Sequence, residues 1–420
     1  MWLTFVSAAV VLGVLIIIHE FGHFIFAKCA GIRVEEFSMG FGPKLLQIKK
    51  GDTAYKLCLI PLGGYVKLAG ADPGEVKGEP YEFAAKSIMI KIGTYLTGPI
   101  FNYLLALVVF IALPLVYGIP SLGTRIIKSA SNTCLQYGDE IVSINGKEVK
   151  VWGDIINNLS ADSLSATDSV NCIVRRTGEL QEVKLSKADT LEPFIPAVLG
   201  KVVTGGPAYK AGLRELDSVI QVNDAIIPDW DSLVSIVQHH PRQELLIGWI
   251  RAGKFMDAKV VPVAEQGIIN DTIIEIGMIK VGMRTAKQSI GIAAVKDGAL
   301  RTTSIIALTG SFFKKLLARK ISTKALGGPV AIVRVAGEQA RWGLENLIML
   351  IGFLSIQLFI FNLIPFPPLD GGQVLLIIIE KIKKSPISER TLRLVQNIGF
   401  AILILFAFYI TFNDIAQIVK

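Results

Sequence analysis

Two histidines and a glutamate interrupt an apolar run in His19-Glu20-Phe21-Gly22-His23. On a helix, residues four apart stand one turn above each other on one face. Both imidazoles can therefore close on a single zinc ion while Glu20 lies beside the metal's water. That is the arrangement of zinc hydrolases, with Glu20 as the expected general base. The same pattern arises by chance, but a chance match favours a soluble helix. Here Val6 to Ile18 is almost uninterrupted apolar sequence, and the apolar character resumes through Ala27. Unpartnered charge in hydrocarbon is expensive, and a metal that satisfies all three groups is the more economical explanation.

Two histidines leave zinc short of a ligand, because hydrolytic sites usually take three protein groups and keep one position for water. The candidate is Asp370, in Asn362-Leu-Ile-Pro-Phe-Pro-Pro-Leu-Asp-Gly-Gly372, directly after a later apolar run. Pro365, Pro367 and Pro368 prevent a regular helix there, so the stretch is expected to be extended. Asp370 can then begin a new helical piece running to about Lys381. Irregular backbone at membrane depth is tolerated where it lines a polar cavity.

The elements that must hold these groups follow from composition. The chain has 420 residues, 51% hydrophobic and 19% charged, with mean hydropathy +0.53. It is too apolar for an ordinary globular protein and too polar to be all membrane. Runs long enough to cross a bilayer are Trp2–Ala27, Thr94–Gly118, Leu344–Ile364 and Leu394–Phe412. The first is not read as a cleavable signal, since no Lys or Arg precedes its core while Lys28 and Arg33 follow it.

A net charge of +8 and a pI near 9.1 do not point to nucleic acid, because the cations are spread through connecting segments. Lys28, Arg33, Lys44, Lys49, Lys50, Lys56 and Lys67 lie between spans one and two, and Lys381, Lys383, Lys384, Arg390 and Arg393 between three and four. Both loops are then expected to be cytoplasmic, with the termini and the large central region on the far side. Cys29, Cys58, Cys134 and Cys172 show no close pairing and no zinc-finger spacing. Cys134 and Cys172 share the exported region and could bridge, but spacing alone does not bring them to bonding distance, and all four are treated as free thiols.

Between spans one and two, Phe37–Lys50 and Tyr55–Lys67 alternate apolar and polar residues and are punctuated by glycines, which predicts short strands with tight turns. Such a hairpin could present a free edge to an extended substrate segment, or serve only as a packing plug. The central region contains a repeat: Asp139–Asn145 aligns with Asp217–Asn223, Trp152 with Trp230, and Arg176-Thr-Gly178 with Arg251-Ala-Gly253. Two copies of one small β-rich module follow. Tyr137–Gly146 and Ala211–Asp217 resemble the run into the central strands of PDZ domains, although Leu216 and Asp224 stand where glycines are usual. PDZ domains take up peptide ends as an added strand, so a peptide ligand is one expectation and a size filter the other. Further on, Ile305, Leu308, Phe312 and Leu316 share a helical face between Thr302 and Lys320, a segment able to lie on a membrane or to pack on the modules.

Taken together, His-Glu-Phe-Gly-His, Leu-Asp-Gly-Gly and the inserted PDZ-like pair resemble the site-2 protease family of intramembrane zinc metalloproteases, within it the bacterial sigma-E branch. Phe41-Gly42, Pro61–Lys67, Gly98–Asn102, Gly327–Pro329 and Asn362 also follow the family's order. The resemblance implies an enzyme of the bacterial inner membrane that cuts single-span membrane proteins within the lipid bilayer. In this branch the substrate is an anti-sigma factor, and leftover signal peptides are another. It implies Zn2+ on His19, His23 and Asp370, Glu20 as catalytic base, periplasmic PDZ-like modules and an active site near the cytoplasmic side. It also implies that Asn362 holds the substrate near the metal. Asn102, in the second span, reads as a polar tie between helices.

The expected fold is thus a polytopic α-helical membrane protein with about four transmembrane helices, a cytoplasmic-side membrane-associated β-hairpin or loop, and two inserted PDZ-like β-rich domains. Residues 1–29 form the first span, 30–90 the hairpin region, 91–118 the second span, 122–193 and 194–282 the two modules. Residues 283–343 form an amphipathic membrane-surface segment, 344–383 a broken third span and 388–414 the fourth. A scaffold without catalysis has no use for Glu20 between two ligands, and a carrier would show repeated halves among its spans, which this chain lacks.

Overall fold

The computed structural model describes residues 2–130, 135–159, 169–186, 190–269, 272–288, 291–318, 327–385 and 387–419. Contacts divide it into one unit of residues 1–117 and 290–420 and another of residues 118–289.

The first unit begins with helix α1 (Trp2–Cys29), which carries apolar residues on all sides. Strands β1 (Val34–Lys50) and β2 (Thr53–Leu68) follow as one hairpin, and then helix α2 (Ile88–Tyr117). The hairpin differs from the short strands expected, because it folds back on itself. Residues 36–39 pair antiparallel with 64–67 on one side and lie opposite 54–57 on the other, while 44–50 pair with 53–58. Gly40 and Gly42, both at positive φ, fall inside β1 where this pairing changes over. Among the described residues, 64–67 pair on one side only, which leaves their other edge open.

The second unit holds two modules of the same plan. In the first, β3 (Ile119–Ser121), β4 (Ile126–Ala130), β5 (Glu140–Ile144) and β6 (Lys147–Glu148) lead to α3 (Trp152–Leu159), then β7 (Ser169–Arg176), β8 (Glu179–Ser186) and β9 (Thr190–Pro193). In the second, β10 (Leu199–Val202), α4 (Pro207–Lys210), β11 (Ser218–Val222) and β12 (Ala225–Ile226) precede α5 (Trp230–His239), β13 (Leu245–Arg251) and β14 (Lys254–Val260). β15 (Val263–Ile269), β16 (Thr272–Met278), β17 (Val281–Met283) and β18 (Ala286–Gln288) complete the unit, and β18 pairs with β3.

The two central sheets run β6-β5-β7-β8 and β12-β11-β13-β14. Each has its own apolar core, one around Ile141, Ile144 and Leu185, the other around Trp249, Leu233 and Leu245. The repeated residues do the same work twice. Asp139 and Asp217 are buried, accept from the backbone N–H of Gln136 and Arg214, and bind the guanidinium groups of Arg176 and Arg251 at 2.6–2.8 Å. Asn145 and Asn223 both turn at positive φ and cross-link the sheet through Asn171 and Leu246. Leu216 adopts φ 72° where Gly138 of the first module has φ 89°, so the turn keeps its shape with a residue that is strained there.

The Arg176 guanidinium holds the Asp139 carboxyl below the ordinary aspartate range. A depressed folded value adds stability that is present above about pH 4 and lost as pH falls through the lower folded value. Hydrogen exchange of the first module is therefore expected to quicken below about pH 4. Asp139→Asn should cost about 2–3 kcal/mol near neutrality and flatten that acid dependence. An unchanged acid profile in the variant would remove this pair from the module's stability.

The chain returns to the first unit with α6 (Ala293–Leu317), α7 (Pro329–Trp342), α8 (Leu344–Asn362), α9 (Asp370–Lys383) and α10 (Glu389–Val419). Among the described residues, four helices are long and apolar enough to cross a membrane: α1, α2, α8 and residues Glu389–Ala416 of α10. α1, α7 and α8 share a core of Ala8, Val11, Leu15, Ala336 and Ile351, while α2 packs Ala106, Val109 and Phe110 around Ile356 of α8. Small residues permit these approaches, as at Gly352 against Val109 and Gly337 against Thr4. Asp414 of α10, buried in an apolar helix, accepts the backbone N–H groups of Gly328 and Ala331 at 3.1 and 2.9 Å and so caps α7.

The segment expected to lie on the membrane surface contains a helix that packs on α2 and α8. α6 sets Gly298 against Phe110 and Ile111 of α2, half-buries Ile305 and Ile306, and joins Thr309 to Gln357 of α8 at 3.0 Å. Leu308 is 69% exposed, so the apolar stripe is split between a helix contact and an open groove. The earlier part of that segment belongs to β17 and β18, and Arg319 and Lys320 lie outside the described residues. Cys29 is exposed, Cys58 and Cys172 are buried, and all three are free. Burial pushes the Cys172 thiol up to about 12, and Cys134 lies outside the described residues.

Candidate metal centre

Helix α1 carries His19 and His23 on the face turned toward α2, and the chain brings Asp370 to them from more than three hundred residues away. The approach of α1 and α2 requires missing side chains. A Cβ on Gly22 would stand 2.4 Å from the carbonyl oxygen of Thr97, and one on Gly98 would stand 2.3 Å from Nε2 of His23.

Asp370 is delivered by the break between α8 and α9. Pro365, Pro367 and Pro368 end one helix, with a cis bond between the last two, and α9 begins at Asp370 itself. Gly371 and Gly372 let the new helix start directly against the break, since Cβ atoms there would meet Leu363 and Phe366 backbone at 2.4 Å. The Leu-Asp-Gly-Gly motif is thus one candidate acidic ligand followed by two positions of close backbone contact.

Three electron-pair donors converge. His19 Nε2 is 3.2 Å from His23 Nε2 and 3.2 Å from Asp370 Oδ2, which lies 3.6 Å from His23 Nε2. Asp370 Oδ2 is buried and, among the described residues, has no aligned hydrogen-bond donor despite these short distances. His23 explains why: its Nδ1 donates to the Thr94 carbonyl at 2.7 Å, so a neutral ring has its lone pair, not a proton, on Nε2. Ligands held about 2.0–2.1 Å from a tetrahedral zinc are spaced by about 3.3 Å. The separations match, all three atoms lie within 4.8 Å of one another, and two imidazoles with one carboxylate leave a fourth position for water. The residues present fit zinc.

Glu20 shares the turn of the two histidines, and the aliphatic part of its side chain lies 3.2 Å from where a Cβ of Gly64 would be. Gly64 of β2 therefore passes beside the glutamate. Asn362 is the last residue of α8, half-buried, and its side chain makes no hydrogen bond among the described residues. Asn102 joins helices as expected, and its partner is one of the two histidines. Its side chain is fully buried and faces His19, with Nδ2 and Nδ1 3.2 Å apart, while Ser355 of α8 reaches only its backbone carbonyl, at 2.8 Å. Thr94, Gly98 and Asn102 follow one another at helical spacing of four, which would have marked one α2 face as the partner of two histidines also four apart.

The chain matches the family described as peptidase family M50 over residues 7–406. A Neisseria meningitidis protein named as a zinc metalloprotease is 31% identical over 96% of this chain and 97% of its own length. The protease RseP of Yersinia pestis is 30% identical over 97% of each, and the regulator of sigma-E protease RseP of Escherichia coli 29% identical over 98% of each.

Proposed function

Because this chain belongs to peptidase family M50 and is a zinc metalloprotease of the site-2 type, we propose that it hydrolyses peptide bonds within the transmembrane segments of single-span membrane proteins. The observation that carries this reading is the convergence of His19, His23 and Asp370 between apolar helices, with Glu20 one turn position away. The name of the Escherichia relative, a regulator of sigma-E protease, supports a part in sigma-E regulation. The substrate on this reading is an anti-sigma factor in envelope stress signalling, with remnant signal peptides as a second class.

Bound by His19, His23 and Asp370, zinc supplies a Lewis acid that polarises the scissile carbonyl and brings the pKa of water to about 7. Glu20 accepts the proton of the attacking water and returns it to the leaving nitrogen. Asn362 donates its amide N–H to the substrate carbonyl as charge develops on the oxygen, a role supported by its uncommitted side chain at the end of α8. A helical substrate hides its amide in internal hydrogen bonds and must unwind before it is cut. The open edge of residues 64–67, beside Glu20, offers backbone partners to the unwound strand.

The two repeated modules are PDZ-like and periplasmic on this reading, and the active site opens toward the cytoplasm. The distribution of lysine and arginine in the short loops supports that orientation. In the second module a cavity of about 80 Å³ between α5 and residues 277–281, lined by Trp230, Leu233, Val237 and Ile279, is sized for one apolar side chain at a peptide end.

Cleavage of a co-expressed single-span protein tests the proposal. Products mapped by mass spectrometry should end inside the span, and replacing its helix-weakening residues by leucine should slow cleavage by about tenfold or more, as unwinding becomes costlier. Cuts confined to sequence outside the span would contradict the intramembrane reaction.

A further inference from the structure

Three residues of α2 meet the metal ligands in register: the Thr94 carbonyl at His23, the bare backbone of Gly98 between the two rings, and the Asn102 amide at His19. We propose that Asn102 is a positioning residue of the zinc site. Its amide oxygen accepts the Nδ1–H of His19 and thereby points the lone pair of Nε2 at the position shared with His23 and Asp370. The inference rests on the zinc reading above and assigns part of that site's outer shell to α2.

Geometry decides which nitrogen of His19 faces the metal. Nε2 is the atom 3.2 Å from both His23 Nε2 and Asp370 Oδ2, whereas Nδ1 is turned back toward α2. A neutral imidazole that offers Nε2 carries its proton on Nδ1. In a buried helix interface that proton needs an acceptor. Asn102, fully buried and 3.2 Å away, is the side chain that meets it.

The amide orientation follows from the same proton. Nitrogen and oxygen of an asparagine are assigned from their surroundings, and an amide N–H set against an imidazole N–H would oppose donor to donor. The oxygen therefore takes the ring side. The other end of the amide has no hydrogen-bond partner among the described residues. The contact joins α2 to α1, and the group it meets on α1 is a candidate metal ligand.

His23 and His19 are then oriented by two different means. The acceptor for His23 is a main-chain carbonyl that substitution cannot remove, and the acceptor for His19 is a side chain that substitution can. Second partners of this kind fix ring orientation and raise ligand basicity.

The test uses the full chain in detergent. Zinc affinity is measured by competition with a chromophoric chelator, and ligand geometry by the visible absorption of the cobalt-substituted protein. Asn102→Leu, similar in size but without an acceptor, should weaken zinc binding by about 10–100-fold and alter the cobalt bands, while Asn102→Asp, which keeps an acceptor, should stay within about threefold of wild type. Zinc affinity unchanged in the leucine variant overturns the inference while leaving the protease reading intact. Should the leucine variant not fold, the aspartate variant decides: affinity near wild type supports the acceptor role, and a loss of about tenfold or more overturns it. A wild-type chain that binds no zinc would overturn the zinc reading and this inference with it.

Discussion

Replacing Glu20 by glutamine is expected to lower cleavage of a single-span substrate by about 10²–10⁴-fold, the range supplied by a positioned general base. Zinc should stay bound. The proposed ligand atoms belong to His19, His23 and Asp370, and the glutamine keeps the size of the side chain that lies against Gly64. Zinc content and cleavage therefore separate in this variant. A structural part for Glu20 would instead lower both together, or neither. Measured side by side on the same preparation, normal cleavage with zinc retained would take the base away from Glu20.

Gly98→Ala is expected to be nearly as damaging, for a different reason. Alanine favours a helix over glycine by about 1 kcal/mol, so the helix that carries it should form at least as well. The added methyl group, however, would stand 2.3 Å from His23 Nε2 and 2.9 Å from His19 Cε1. Those rings have little freedom to yield, because His23 is held through Nδ1 to Thr94 and His19 faces Asn102. Either the rings swing out of the ligand position or α1 and α2 separate, which also disturbs the contact of Gly22 with Thr97. Zinc affinity should fall by about 100-fold or more, at the limit of what losing an outer-shell partner does, and cleavage should fall with it. Circular dichroism should show unchanged helix content. A Gly98→Ala chain that binds zinc normally would mean that α1 and α2 do not approach as described.

The chemistry of this site was legible early because membrane burial makes polar residues conspicuous. Histidines four apart with a glutamate between them inside an apolar run, and an aspartate behind three prolines, have few physical explanations besides a metal. The repeat was legible for a related reason. A buried aspartate paired with an arginine must be reproduced in both copies if both sheets are to close, and Asp139 with Arg176 and Asp217 with Arg251 do so at almost the same interval. Where no residue was so constrained, the sequence said less. The alternation in residues 37–67 marked strands but not that one hairpin would fold back to pair twice, because alternation records faces and leaves partners open. The stripe from Ile305 to Leu316 looked equally suited to lipid and to protein, since both are apolar surroundings, and only the small Gly298 beneath Ile111 hints at the helix that covers it.

What the sequence alone marked out is therefore the inventory: four apolar helices, two like modules, and three candidate ligands with a candidate base. Those properties are local, set by helical period, by apolar length and by the intolerance of hydrocarbon for unpaired charge. Only the tertiary structure decided that α2, with no metal-ligating residue of its own in the cluster, stands against the histidines through Thr94, Gly98 and Asn102. A backbone carbonyl, a missing side chain and one amide leave almost no trace in composition or periodicity. Their meaning arises when two helices approach closely enough for one to fix the other's rings.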